Sequence, residues 1–162
     1  MTDDQEFDAW LRSVPPEITT DTIWRMSAYR FSLFLAFMAQ KDLKSVLAHR
    51  ETRALADQLL RAVGGISANI DEGYSRSSGK ERAHFYEYAL GSAREARGWY
   101  YKCSIAFPPE VTVARLRRLS QIVRILTAVV PRERELNSMW RKRVRASDDA
   151  TPPDHPAATS SS

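Results

Sequence analysis

From residue 21 to about residue 144, apolar side chains recur every three or four positions, the spacing of amphipathic helices rather than the alternation of strands. Ile23, Met26, Phe31, Phe34, Leu35 and Met38 predict a first helix from an N-cap at Asp21 to about Gln40, with Trp24 and Phe37 widening its stripe. After a polar connector from Lys41 to Arg50, the positions Leu55, Leu59, Ala62, Val63, Ile66 and Ile70 predict a second helix to about Asp71. Gly64-Gly65 inside it costs ~1 kcal/mol per glycine relative to alanine, which a close backbone approach would explain. Gly73 predicts a left-handed stop. Ser78 and Glu81 read as a capping box that opens a third helix to about Ala106, with Phe85, Ala89, Ser92, Ala96, Trp99 and Cys103 as its seam. Pro108-Pro109 starts a fourth, carrying Val113, Leu116, Leu119, Val123, Leu126 and Val130. Pro131 predicts a break or kink, after which Leu136, Met139 and Trp140 continue a weaker face.

The ends lack such a face. Residues 1–20, with Pro15-Pro16, predict a flexible acidic arm holding at most a helical turn around Phe7, Trp10 and Leu11. Residues 147–162 predict a disordered tail. The expected fold is therefore all-α: an antiparallel up-down four-helix bundle over residues 21–146 between those two ends.

Charge sharpens that division. Residues 1–21 hold six acids and one base, a net −5, and residues 147–162 hold three acids and no base. The middle carries 23 bases against 11 acids, a net +12, within a chain of 162 residues and formal net charge +4. Nineteen of the 24 bases are arginine, whose planar fork suits phosphates and carboxylates. Such a surface is either a solvated arginine-rich exterior or a polyanion-binding face partly screened by the acidic ends. The candidate contacts are Arg76, Lys80 and Arg82 at the second turn, Arg115, Arg117 and Arg118 at the start of the fourth helix, and Arg132, Arg134, Arg141, Lys142, Arg143 and Arg145 beyond it. Trp24, Trp99, Tyr100 and Tyr101 read as core aromatics, Tyr74 and Tyr86 as exposed ones.

The sequence offers little for catalysis. Cys103 and His84 stand 19 residues apart on one predicted helix, ~28 Å by rise, so they cannot form a nucleophile and base within one subunit. Three scattered histidines give no zinc spacing, and no phosphate-binding glycine loop follows a strand. No enzymatic activity, metal or cofactor is expected. The longest strongly apolar stretch, Phe31 to Ala39, is too short to span a membrane, and the lone cysteine and lack of a leader point to the cytoplasm.

Residues 61–74, Arg-Ala-Val-Gly-Gly-Ile-Ser-Ala-Asn-Ile-Asp-Glu-Gly-Tyr, resemble the signature of the four-helix-bundle family encoded by intervening sequences of bacterial 23S ribosomal RNA genes. The pattern Lys80-Glu81, Phe85, Ala89-Leu90-Gly91-Ser92-Ala93 and Glu95 is similar too. Gly65 and Asp71 depart from the family's usual serine and alanine. The resemblance implies a non-enzymatic homo-oligomer, a pentamer, with Asn69, Glu72 and Gly73 carried over from the motif. It also implies kinship with the basic accessory protein of diversity-generating retroelements, and so RNA, DNA or a reverse transcriptase as partners. Asn69 and Glu72, three apart on one face, are either a functional polar cluster or a buried hydrogen-bond pair that fixes the register of the hairpin. The alternative to a nucleic-acid partner is an acidic protein segment received by the basic surface, including the chain's own ends.

Overall fold

The computed structural model describes residues 2–148, all-α and with no strand among them. The tail expected over 147–162 lies outside the described residues from 149 onward. The side chains of Asn137, Trp140 and residues 141–148 also lie outside, which includes the candidates Arg141, Lys142, Arg143 and Arg145.

Among the described residues there are six α-helices where four were expected: α1 (Asp3–Leu11), α2 (Pro16–Thr19), α3 (Ser27–Ala48), α4 (Ala56–Tyr74), α5 (Gly79–Lys102) and α6 (Pro109–Asp148). The four long ones pack in a closed circuit, with α5 against α4 and α6, and α3 against α4 and α6. Two antiparallel hairpins set the registry. Gly65 faces Ser92 and Gly73 faces Tyr86 between α4 and α5. Arg82 reaches Glu133 and Arg97 reaches Ser120 between α5 and α6.

The seam of α5 is Ala83, Tyr86, Ala89, Ala93, Ala96 and Tyr100 rather than the predicted series through Phe85, Ser92 and Trp99. The four alanines are fully buried and let α4 and α6 approach the same helix from two sides. Phe34, Leu35, Leu59, Ile66, Ile70, Leu119, Ile122 and Leu126 fill the space between. Tyr86 is buried and Tyr101 is 70% exposed, the reverse of their expected places.

Local chemistry accounts for the other departures. Asp21 accepts from the Ile23 N–H at 3.0 Å, but it caps a 3-10 turn, Thr22–Arg25, and α3 starts only at Ser27. The predicted connector is helical as far as Ala48 because Asp42 and Val46 are buried. No glycine has positive φ, so Gly73 is not a left-handed stop. It lies within α4 because α5 presses on it: an added Cβ would sit 2.7 Å from the Tyr86 ring and 3.0 Å from the Phe85 Cβ. Pro131 does not end α6. The proline deprives the Thr127 carbonyl of its donor, and both residues are on the exposed side of α6, where solvent is within reach of the freed carbonyl.

The arm is also ordered. Thr2 and Gln5 form a reciprocal capping box that starts α1. Phe7 then packs on Phe31 and Phe34 at 5.1 and 5.2 Å between ring centroids, and Trp10 on Trp24 and Phe34 at 6.0 and 5.6 Å. Offset and edge-on aromatic contacts of this kind each add ~0.5–1.5 kcal/mol beyond burial, enough to hold a helix that the local sequence would not.

Candidate nucleic-acid interface

The predicted cations separate into three groups with different surroundings. The first is buried. Arg115 and Arg118 occupy the core-facing side of α6 and are each 3% exposed. Arg115 donates from Nε to Asp42 Oδ2 at 2.8 Å and from Nη1 to Asp3 Oδ1 at 3.2 Å. Tyr100 donates to the same Asp42 oxygen at 3.0 Å. Burial alone would lower the Arg115 pKa; the bonds to Asp42 and its charge reverse this, so the net shift is upward. Burial first, then the Asp42 charge, push the Tyr100 phenol well above its usual value. Arg118 donates to Asp3 at 2.6 Å and Asp4 at 2.9 Å, with the Phe7, Phe31 and Phe34 rings stacked around its guanidinium. These two arginines are therefore not a phosphate surface: a buried guanidinium needs a fixed counter-charge, and α1 and α3 supply it.

The second group surrounds a groove of about 600 Å³ at the turn between α4 and α5. It brings Arg76, Lys80 and Arg134 together with Glu81, Glu87, His84 and Phe85. Two of the cations are already paired, Arg76 with Glu72 and Arg134 with Glu87. Arg82 is likewise held by Glu133 at 2.8 Å and by the carbonyls of Arg76 and Ser77, which pins the turn to α6. Ser78 caps α5 by accepting from the Glu81 N–H at 3.2 Å, while its own hydroxyl donates to the Glu81 carboxylate at 2.8 Å. The motif residues Asn69 and Glu72 do not meet: Asn69 donates to the Gly65 carbonyl at 2.7 Å and Glu72 binds Arg76. This end of the molecule is nearly charge-balanced.

The third group is the outer face of α5 and α6. Arg97 donates to Ser120 across the two helices at 3.5 Å. Ser120 stands three residues after Arg117 and four before Arg124, so both flank it on one helical face. Arg94 lies one turn from Arg97, and the exposed Tyr101 one turn beyond it. Among the described residues none of Arg94, Arg97, Arg117 and Arg124 makes an ion pair, and neither does the exposed Arg132. Only Arg117 and Arg132 of this set were picked out in the sequence. The clue to Arg124 is the seven-residue step from Arg117, which repeats one face without a carboxylate between them; for Arg94 and Arg97 it is only their three-residue spacing.

Among the described residues no helix is long and apolar enough to cross a membrane. A family model described as 23S rRNA-intervening sequence protein matches residues 26–129. A crystal structure from Bacteroides thetaiotaomicron, described as a protein with unknown function from the S23 ribosomal protein family, is similar in fold, with a TM-score of 0.59 at 20% identity. That likeness covers 64% of this chain and 97% of the other. No curated protein matches the chain.

Proposed function

Because this chain belongs to the 23S rRNA-intervening sequence protein family, we propose that it is a non-enzymatic, homo-oligomeric helical protein that binds nucleic acid through the outer face of α5 and α6. One observation carries the reading: Arg97 bonds Ser120, which Arg117 and Arg124 flank on α6, Arg94 stands one turn away on α5, and among the described residues no carboxylate pairs with any of the four. Four guanidinium forks on one face suit phosphate oxygens, and each phosphate neutralised releases counterions from the polyanion. Tyr101, 70% exposed at the edge of the cluster, adds a ring on which an unpaired base can stack. Contacts to phosphate carry no sequence information, so binding through this face follows phosphate spacing and single-strand stacking more than sequence.

Assembly multiplies the effect. Gly91 and Gly98 stand seven apart on α5, each exposed and with nothing within 4 Å of an added Cβ. Mid-helix glycine costs ~1 kcal/mol, and no neighbour inside the subunit requires it. A second copy packed along this ridge accounts for both, with Arg94, one turn from each glycine, at the rim of that contact, and the resemblance makes the assembly a pentamer. Repeated arginine faces then bind one strand with a common avidity, or hold a nucleic-acid enzyme such as a reverse transcriptase on its template.

Retention of mixed-sequence RNA and single-stranded DNA on filters tests the reading. Binding is expected at ~50 mM salt with a steep loss toward ~200 mM. An absence of retention for both polymers at the lower salt contradicts it.

A further inference from the structure

We propose that the groove between α3 and α6 that holds α1 is a docking site for an acidic, aromatic helix of a partner protein, with α1 as its occupant in cis. This surface is separate from the α5–α6 arginine face and does not depend on it.

Apart from Trp24, the receiving side belongs to the family domain, residues 26–129, whereas α1 lies outside the matched span. What the groove offers is specific. Arg118 Nε and Nη2 point to Asp3, and Nη2 also reaches Asp4. Phe31 and Phe34 flank the guanidinium, and Trp24 and Phe34 make the notch entered by Trp10. If α1 leaves, Arg115 keeps Asp42, but Arg118 keeps only Gln121 and two aromatic rings. An otherwise buried cation is then without a carboxylate, beside uncovered aromatic surface.

The occupant is held at its edges. No residue of α1 is buried, and the Asp4 side chain is 87% exposed. Between α1 and α3 the chain forms only α2 and one 3-10 turn. The ligand pattern can be read from α1 itself: two acids in the first turn, an aromatic three residues after the second acid, and another three residues further, as in Asp3, Asp4, Phe7 and Trp10. A phosphate satisfies Arg118 but leaves the aromatic notch empty. A helix carrying both features fills the whole groove, which favours a protein partner.

The test uses a fluorescent helical peptide of unrelated backbone sequence carrying Asp-Asp-x-x-Phe-x-x-Trp, titrated into the full chain. Wild type is expected to bind it saturably, and the full-length F7A/W10A variant, whose own α1 competes less well, at least ~10-fold more tightly. Adding R118Q to that variant, or replacing both peptide aspartates by asparagine, should weaken binding ~10-fold or more. Absence of saturable binding to either protein up to ~1 mM peptide overturns the proposal, as does indifference to R118Q. Displacement of the bound peptide from the groove by an oligouridylate, lost with R118Q, also overturns it. Should F7A/W10A fail to fold, a protease site placed at Ser13 is cut after folding of the otherwise wild-type chain. The freed α1 must then exchange with the labelled peptide; an α1 that departs and neither it nor the peptide rebinds refutes the docking site.

Discussion

Arg118 on α6 and Asp3 on α1 meet at 2.6 Å, so the first helix of the chain is bound to the last through a charge pair whose arginine is buried and whose carboxylate is partly exposed. The pair does more than close the fold. It removes Arg118 from the pool of surface cations and seats Phe7 on Phe31 and Phe34. The acidic N-terminal segment therefore neutralises particular arginines rather than screening the basic surface at large.

The adjoining node predicts a clear ranking of stability losses. Asp42→Ala leaves the Arg115 guanidinium buried with only the partly exposed carboxylates of Asp3 and Glu6, and should cost ~3–5 kcal/mol. Tyr100→Phe removes one donor while Asp42 keeps Arg115, and should cost ~1 kcal/mol. Urea unfolding of both variants checks the order; equal losses would show that the node is not organised around Asp42.

Glycine substitutions separate packing inside the subunit from packing between subunits. Gly73→Ala forces a Cβ against the Tyr86 ring and should destabilise by ~1–3 kcal/mol. Gly91→Ala and Gly98→Ala meet nothing and should each raise subunit helix stability by up to ~1 kcal/mol. Light scattering should show that the same two changes weaken the oligomer. A fully retained assembly would place the subunit contact elsewhere.

Buried phenols predict an alkaline limit. Burial, followed by the charge of Asp71 for Tyr29 and of Glu133 for Tyr86, raises both to about 12 from an ordinary 10. A group whose folded pKa is raised contributes stability below its unfolded pKa and loses it as pH climbs to the folded value. Stability should thus hold up to about pH 10 and fall between about 10 and 12. Tyr86→Phe should make that fall shallower, as read from urea midpoints across the range.

The long helices were legible because each buries a stripe that repeats every three to four residues. Ile66 and Ile70 on α4 and Leu119 and Leu126 on α6 lie where that spacing puts them. Helix α1 was not, since its stability comes from Arg115 and Arg118, more than 110 positions away in sequence. The local signals, Thr2 with Gln5 and Phe7 with Trp10, are too short to outweigh Pro15-Pro16 without that distant contact. The site was misread for a related reason. The buried seam of α6 passes through Thr112, Arg115, Leu119, Ile122 and Leu126, and hydropathy alone assigns its arginine to solvent. Charge type singles out the arginines; only packing shows which of them remain available.

The most direct test of nucleic-acid binding compares two sets of arginine variants across a salt titration. R94Q/R97Q/R117Q/R124Q, which leaves the described ion pairs untouched, should weaken binding to unrelated sequences alike. It should also flatten the slope of log K against log salt by up to ~3–4. R76Q/R134Q, which removes cations already paired with Glu72 and Glu87, should change the slope by less than ~1. A quadruple variant with wild-type affinity and slope would contradict the assignment of the binding surface to α5 and α6.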